Sequence, residues 1–483
     1  MTDFTPARTR VAPSPTGDPH VGTAFMALFD LAWARRTGGQ FVLRIEDTDQ
    51  ARLVEGSEQQ IHDSLAWLGL QPDEGPGVGG EHGPYRQSER LETYRPFVDQ
   101  LIEAGHAYYC WCSPERLKEM RDEQARTKQA TTGYDRLCHG MTREERAKLP
   151  GFQETPVVRM LIPDDVPLVF DDVIRGRVKA PRPDDQVILK ADGFPTYHLA
   201  VVVDDHLMGI TTVVRGEEWI SSTPKHILLY RWLGWDVPQF AHMPLLRNTD
   251  KSKISKRKNP AARLLWFKEQ GYLPDAVRNF LQLLGYAGDD DQEVKSFEQF
   301  VEEFAWEKVH TVGPIFDVKK LDWMNGHYIR QMSVDELTAA IVEWARAYGH
   351  WQDGMRVDVL RQAVPIIQER LVTLADALPQ LDYLFADEVE VEDKARDGLA
   401  DNAAEVLDAG IAVLESVPMD ASSIQAALRE RIVEGMGIKP KFAFAPLRVA
   451  VSGRKVSPPL FESMEILGRD RTLARLRSLR ETL

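Results

Sequence analysis

Two stretches of the chain carry residues that could bind the phosphates of a nucleotide. The first, residues 13–23, places His20, Gly22 and Thr23 where a short apolar run meets a stretch with helical apolar spacing. Gly22 lets the backbone approach a ligand, and the imidazole and hydroxyl can donate hydrogen bonds to phosphate oxygens. Alone, this stretch is equally compatible with a strand-to-helix loop that happens to contain a histidine.

The second stretch is the cationic segment 251–258, which holds five cations and two hydroxyls in eight residues. Such a segment is ordinarily a solvated face or a nucleic-acid contact. It follows the apolar run 243–246, and it contains Lys253 and Lys256. Two stretches of this kind in one chain predict chemistry on a nucleotide.

Length and composition bound the class of protein. A chain of 483 residues with 43% hydrophobic and 28% charged residues predicts several globular domains, and no apolar run approaches the ~20 residues of a membrane span. Three cysteines predict a reducing compartment, so we expect a cytoplasmic protein without a membrane partner. The net charge of −15 would argue against nucleic acid if it were uniform, but basic clusters at 251–258 and 471–480 leave room for a basic track.

The order of apolar runs predicts a nucleotide-binding α/β sheet in two halves, at 1–86 and 196–260. Strands are expected at 9–12, 40–49, 196–203 and 211–215, with helices at 24–35 and from 222 onward. Ligands of open α/β sheets bind outside the carboxyl ends of the strands, so Glu46 and Arg215 should face the same crevice as His20. Glu46 could instead cap a helix, and Arg215 could be structural. If Arg10 and Tyr197 lie near Arg215, a clamp for a ligand carboxylate is favoured.

Residues 87–195 read as an insertion that contains every cysteine of the chain. Cys110, Cys112 and Cys138, with His139, could supply four ligands to zinc, although the spacing is unusual and adjacent side chains do not easily reach one metal. Free cysteines of a reduced protein are the alternative. Short β-branched runs between 157 and 189 predict a small sheet.

The chain becomes helical from about residue 261. A helix is predicted at 273–285, and Ser333 with Glu336 forms the sequence pattern of a capping box. We expect a helical domain at 261–334 and a helix bundle at 335–483. The predicted fold class is thus α/β, a Rossmann-type catalytic domain with an inserted domain, followed by an all-helical region.

The residues at 20–23 (His-Val-Gly-Thr) and 253–257 (Lys-Ile-Ser-Lys-Arg) resemble, in this order and separation, the HIGH and KMSKS signatures of class I aminoacyl-tRNA synthetases. The second His of the first signature is Thr23 here. The resemblance to bacterial glutamyl-tRNA synthetases runs nearly end to end. Further stretches that carry it lie at 10–19, 44–49, 83–88, 195–197, 203–206, 323–326 and 446–451.

This resemblance implies a ligase that joins glutamate to its tRNA through a glutamyl-adenylate, using ATP and Mg²⁺. It implies that the insertion approaches the acceptor end of the tRNA, that residues 261–334 contact its stem, and that the helical region reads its anticodon through Arg370. We expect the protein to be a monomer. The site residues that it implies are Arg10, Tyr197 and Arg215 for the glutamate side chain; Ser14 and Glu46 for the rest of the amino acid; and His20, Gly22, Thr23, Leu245, Leu246, Lys253 and Lys256 for ATP and catalysis.

The same resemblance leaves zinc open. Some members of the family bind zinc through Cys-x-Cys and a later Cys-x-His, and Gly140 occupies the expected His position here. Either His139 substitutes or the site is lost.

Other functions remain possible on the sequence alone. A non-discriminating enzyme would also charge glutamine tRNA. Glutaminyl-tRNA synthetases share the catalytic fold but have a β-barrel anticodon region, and a truncated paralogue that modifies a tRNA base lacks that region. Small nucleotidyltransferases carry a similar loop but are much shorter. A catalytically dead tRNA-binding scaffold is the alternative from a different class.

Overall fold

The computed structural model of the chain describes residues 4–127, 133–288 and 292–483. The chain divides into two compact units. The first comprises Met1–Trp266 with Val277–Val318, and the second comprises Phe267–Ala276 with Lys319–Leu483. Within the described ranges, no helix combines the length and apolar character needed to cross a membrane.

The first unit begins with a β–α–β element. Strand β1 (Arg8–Val11), helix α1 (Val21–Thr37) and strand β2 (Gln40–Leu43) follow one another, and the two strands pair in parallel with Arg10 opposite Val42. The predictions of a first strand and a following helix are confirmed. The second predicted strand is shorter than expected, because pairing ends at Leu43 and the backbone beyond it joins Tyr85 and Pro13 through single hydrogen bonds.

The inserted segment builds its own small sheets, as predicted. Helix α2 (Ser57–Trp67) precedes the inserted segment. The elements of the segment are α3 (Leu91–Glu103), β3 (Ala107–Cys112), α4 (Pro114–Thr127), α5 (Arg143–Ala147), β4 (Phe152–Met160), β5 (Val169–Asp172), β6 (Gly176–Lys179) and β7 (Val187–Leu189). Strands β3, β4 and β7 form an antiparallel sheet in the order β3-β4-β7, and β5 with β6 forms a hairpin.

The strand predicted at 196–203 is wrong, because this segment is helix α6 (Tyr197–Leu207). An unbroken apolar run is compatible with a buried strand or a buried helix, and its periodicity cannot distinguish them. Here Leu199 to Asp205 are buried on every side of the helix, so the run has no polar face to reveal its period. Tyr197 therefore lies in the first turn of a helix, and Asp205 points into the interior.

The second half of the sheet follows α6. Strand β8 (Thr212–Gly216), helix α7 (Thr223–Trp232) and strand β9 (Gln239–Met243) repeat the β–α–β order, and β8 pairs in parallel with β9. The Thr211 amide donates to the Arg8 carbonyl over 3.0 Å, so β8 lies beside β1. The two halves of the predicted α/β domain thus lie side by side.

Helices dominate the rest of the chain. The prediction of a helix at 273–285 is confirmed by α9, and the Ser333 capping box is present. The helices are α8 (Leu264–Glu269), α9 (Pro274–Gly285), α10 (Phe297–Glu303), α11 (Val318–Gln331), α12 (Val334–Ala347), α13 (Val357–Ile367), α14 (Ala377–Phe385), α15 (Asp393–Arg396), α16 (Ala403–Leu414), α17 (Ala421–Leu428), α18 (Pro440–Ser452) and α19 (Leu460–Glu481), the last of which breaks at Gly468.

Residues 335–483 all belong to the described part of the chain, and they contain no strand. Their core is aliphatic, with Leu337, Leu360, Leu407, Leu447 and Leu476 fully buried. The predicted helical bundle is therefore confirmed, and its apolar stripes are core.

Candidate active site

A cavity of about 810 Å³ in the first unit lies at the carboxyl ends of β1 and β8. Of the residues predicted to bind ATP or glutamate, every one except Lys256 lines it: Arg10, Ser14, His20, Gly22, Thr23, Glu46, Tyr197, Arg215, Leu245, Leu246 and Lys253. The fold thus brings together residues that are more than 200 positions apart in the sequence.

His20 occupies the N-cap of α1 and accepts a hydrogen bond from the Gly22 amide on Nδ1 over 2.9 Å. A Cβ at Gly22 would lie 3.0 Å from that nitrogen, so a larger residue would press on the ring. Burial, with Lys256 and Lys253 nearby, lowers the pKa of His20 to about 4. The ring is therefore neutral at pH 7, with its proton on Nε2, where it can serve as a hydrogen-bond donor beside the helix N-terminus.

The cationic segment is anchored at the edge of the same cavity. The Ile254 amide donates to the Leu246 carbonyl over 3.0 Å, which ties the segment to the end of β9. Lys253 Nζ pairs with Glu218 over 3.2 Å, and Lys256 Nζ donates to the Asp18 carbonyl. Lys256 thus contacts the loop that precedes His20, although it does not line the cavity.

A buried carboxylate, Asp205, organises the floor of the cavity. It accepts from Arg10 through both oxygens, at 2.9 and 3.1 Å, and from Arg44 at 2.6 Å. Arg44 also donates to Glu46 over 3.2 Å. These charge-assisted bonds fix the two guanidinium groups relative to β1, β2 and α6.

Two further acids lie beside this network. Burial raises the pKa of Glu46, whose Oε1 accepts the hydrogen bond from Arg44. Burial raises the pKa of Asp30 well above its usual range, against the opposing effect of Arg10. Burial thus favours the protonated form of Asp30, which lines the same cavity.

Arg215 lies at the end of β8, as predicted, and its guanidinium is buried. Its Nε donates to His242 Nε2 over 3.0 Å, and its Nη2 donates to the Thr223 hydroxyl over 2.8 Å. Its Nη1 lies 2.9 Å from His226 Nδ1. Tyr197 lies beside it, packed against Trp219 with ring centroids 4.2 Å apart. Arg10, Tyr197 and Arg215 are thus brought to one cavity.

The three cysteines of the insertion also converge. All three are buried, and their sulfurs lie within 4.8 Å of one another. His139 does not belong to this group; its ring packs against Tyr108. The hydroxyl of Tyr134 faces the cluster instead, 3.4 Å from Cys110 Sγ and 3.3 Å from Cys112 Sγ.

Arg370 lies in the second unit, at the end of the short helix Gln368–Arg370. It is exposed, and its Nη1 is 3.5 Å from the Ser457 carbonyl. Arg448 donates to the same carbonyl over 3.2 Å. Two arginines thus converge on one loop of the helical region.

Several residues of the site were not predicted from the sequence. Asp205, Thr223, His226 and His242 position the arginines of the cavity, and Tyr134 faces the thiols. Asp205 lies in a motif that carried the resemblance, which was an available signal. The others had none, because their partners are distant in the sequence or belong to elements whose packing was not known.

The geometry joins a helix N-terminus, a cationic loop and buried arginines around one cavity. Residues 6–323 match the family model described as tRNA synthetases class I (E and Q), catalytic domain, and residues 336–480 match the anticodon binding domain. The chain belongs to the class I tRNA synthetases. Within that class it is a member of the glutamate–tRNA ligase family, as the following relatives show.

The chain is 63% identical to the glutamate–tRNA ligase of Cutibacterium acnes over 99% of this chain and 98% of the relative. It is 66% identical to that of Acidothermus cellulolyticus over 97% and 94%. A crystal structure of a glutamate tRNA ligase from Elizabethkingia meningosepticum, in complex with its amino acid, shares 32% identity with a TM-score of 0.87. That match covers 99% of this chain and all of the other.

The buried histidines predict that the first unit loses stability in mild acid. Burial lowers the pKa values of His20 and His242 to about 4 and of His198 to about 3, and it lowers that of His226 strongly. Unfolded imidazole takes up a proton below about pH 6.5, so the unfolded state binds more protons between about pH 6.5 and 4, and stability decreases as the pH is lowered through this range. Burial also lowers the pKa values of His106 and His206, which act in the same sense, whereas the raised pKa values of Asp30 and Glu46 act in the opposite sense.

We expect the melting temperature, followed by tryptophan fluorescence, to fall from pH 7 to pH 5. His226→Gln deletes one of these titrating groups and should make the fall smaller. A melting temperature at pH 5 equal to or above that at pH 7 would contradict this account of the buried site.

Proposed function

We propose that the chain joins glutamate to the 3′ end of glutamate tRNA through a glutamyl-adenylate formed from ATP. The observation that carries this proposal is one cavity that holds Arg215, the N-terminus of α1 and Lys253. Arg215 is a buried cation that forms no ion pair with any carboxylate of the described residues. One end of such a cavity suits an acidic amino acid and the other suits a triphosphate.

The reaction needs no protein nucleophile. The α-carboxylate of glutamate attacks the α-phosphate of ATP in line, and pyrophosphate leaves, so catalysis is positioning and stabilisation of charge on phosphate oxygens. Neutral His20, the Thr23 hydroxyl and Lys253 supply donors at the helix N-terminus, and Lys256 joins them from the cationic segment. When bound, Mg²⁺ neutralises further phosphate charge. Gly22, Leu245 and Leu246 provide the surface for the nucleotide.

The amino acid is held by opposite charges. Arg215, with Arg10 and the Tyr197 hydroxyl, binds the side-chain carboxylate. Glu46, which keeps one oxygen free of Arg44, faces the ammonium group, and Ser14 lies at the cavity rim. In this arrangement glutamine, whose side chain is neutral, leaves the charge of Arg215 without a partner.

The regions of the chain outside the cavity are assigned to parts of the tRNA. The catalytic halves are 1–86 and 196–260, the insertion 87–195 approaches the acceptor end, 261–334 contacts the stem, and 335–483 reads the anticodon with Arg370. We place the chain in the cytoplasm, because its substrates ATP, glutamate and tRNA occur there. We propose that it acts as a monomer.

Zinc forms a separate part of the proposal. Three buried thiols within 4.8 Å of one another suit a metal that prefers thiolate ligands. Hydrogen bonds from Cys112 and Cys138 lower the pKa of Cys110, which favours its thiolate. The Tyr134 oxygen, and not His139, faces the fourth position.

Metal analysis of purified protein tests the zinc site. We expect about one zinc per chain, lost in Cys138→Ser and kept in His139→Ala. Metal-free wild-type protein prepared with zinc present, or loss of zinc on replacing His139, would contradict the proposed ligands.

Charging of purified glutamate and glutamine tRNAs with labelled glutamate and ATP tests the function itself. We expect charging of glutamate tRNA alone, because in this proposal the exposed Arg370 reads the anticodon and distinguishes glutamate tRNA from glutamine tRNA. Charging of both tRNAs would remove the discrimination, and Arg370→Ala should then have no effect on the choice. Binding of tRNA without charging would favour the scaffold.

Lys256→Ala tests the cationic segment. Removing one preorganised donor from a transition state costs about 3–4 kcal/mol, so we expect the rate of glutamate activation to fall at least about a hundredfold with the fold intact. Lys258→Ala removes a neighbouring exposed cation of the same segment and should leave the rate nearly unchanged. A mild loss in Lys256→Ala, similar to that in Lys258→Ala, would exclude Lys256 from this role.

A further inference from the structure

Arg215 is held by neutral groups alone. Within 3.0 Å it bonds to two imidazoles and a hydroxyl, from His242, His226 and Thr223, and the Tyr197 hydroxyl is a further neutral partner. Among the described residues, Arg215 forms no ion pair with an aspartate or glutamate, whereas Arg10 is paired with Asp205. Arg215 is only 6% exposed, and that exposed part belongs to the lining of the cavity.

The partner on Nε is itself fixed by a carboxylate. His242 is fully buried, and its Nδ1 lies 2.6 Å from Asp172 Oδ2, which also accepts from the His242 amide over 3.0 Å. The ionised carboxylate accepts a hydrogen bond from Nδ1–H, which leaves Nε2 with its lone pair toward Arg215. Burial keeps the ring neutral by lowering the pKa of His242 to about 4.

Asp172 is well supplied with donors. Its other oxygen accepts from the amides of Ile174, at 3.0 Å, and Arg175, at 2.9 Å, in the turn between β5 and β6. Burial opposes ionisation of Asp172, but hydrogen bonds from the His242 ring and from the Arg175 and Ile174 amides hold its pKa below the usual range. The inserted hairpin thus reaches β9 and fixes a residue behind the cavity.

The arrangement has a consequence for charge. A carboxylate in direct contact with Arg215 would neutralise it and compete with an acidic ligand. A neutral imidazole between the two aims the guanidinium and leaves its charge in place. The bonds to His242, His226 and Thr223 use three of the five N–H donors of Arg215, and the other two remain for the Tyr197 hydroxyl and a ligand.

We propose that Asp172 and His242 are positioning residues that hold Arg215 toward the substrate side chain without neutralising it, and that they make the cavity selective for a carboxylate over a carboxamide. This inference rests on the proposed function, in which Arg215 binds the side-chain carboxylate of glutamate. Neither residue touches the substrate; both act through Arg215.

Steady-state pyrophosphate exchange with the full-length protein, ATP and glutamate tRNA tests the proposal. The His242→Asn variant keeps an amide donor near Asp172, but its shorter side chain cannot reach Arg215. We therefore expect the KM for glutamate to rise about tenfold or more, which corresponds to the loss of one hydrogen bond to a charged group. The KM for ATP and kcat at saturating glutamate should stay within about threefold. His242→Gln restores an acceptor near Nε2 and should recover most of the glutamate KM.

Asp172→Asn provides the second variant and should raise the KM for glutamate in the same selective way. Two matched controls are available: Asp171→Asn changes the exposed neighbour on the same strand, and His206→Asn changes a histidine that stacks on Trp235 outside the cavity. Both controls should keep the wild-type KM for glutamate. Melting curves report whether each variant folds.

Three outcomes overturn the proposal: an unchanged KM for glutamate in His242→Asn and Asp172→Asn, a parallel rise in the KM for ATP, or failure of both variants to fold, which would make the pair structural. Calorimetric binding of glutamate to the same variants gives the comparison without catalysis. If the wild-type protein did not charge tRNA, that result would count against the proposed function. The calorimetric comparison would still decide whether Asp172 and His242 position Arg215.

Discussion

The buried carboxylate of Asp205 is the constraint on which the site depends. It lies in α6 and binds Arg10 from β1 and Arg44 from beyond β2, so one side chain ties three elements at the floor of the cavity. A buried carboxylate of this kind requires cations as partners. Arg10 and Arg44 are paired with Asp205, and Arg44 also with Glu46, whereas Arg215 forms no ion pair with a carboxylate among the described residues.

The buried charge of Arg215, which has no carboxylate partner among the described residues, explains why the cavity would bind an acidic side chain. The arginines cannot move toward water, because their donors are fixed by Asp205, by carbonyls and by imidazoles. An acidic side chain entering the cavity would complete the charge balance, and a neutral one would not. At the other end, the N-terminus of α1 and the cationic segment offer positive potential to a phosphate. The same cavity thus orients an acidic amino acid and a nucleotide through charge.

The sequence predicted the parts of this site that follow local rules. A strand, a glycine-containing loop and a helix placed His20, and the rule that ligands lie at the carboxyl ends of strands placed Arg215. The segment at 196–203 was misassigned, because a helix buried on all sides has no polar face to set a period of 3.6 residues. Tyr197 nevertheless reached the cavity, since its role came from the resemblance and not from the assigned strand.

The supporting residues were beyond sequence reasoning for a different reason. Asp172 and His242 are 70 residues apart and belong to different parts of the chain, and only the docking of the β5–β6 hairpin on β9 brings them together. The same holds for Tyr134, which reaches the thiols from a loop, while the adjacent His139 turns to Tyr108. Spacing along the sequence gives no information on contacts of this kind.

The most direct test of the central claim is the affinity of the wild-type protein for L-glutamate and for L-glutamine, measured by calorimetry with the same tRNA bound. Leaving a buried cation unpaired costs about 3–5 kcal/mol, so we predict that glutamate binds at least about a hundredfold more tightly than glutamine. Equal affinity for the two amino acids would mean that the charge of Arg215 is balanced within the protein, and the account of the cavity as an incomplete charge network would be wrong.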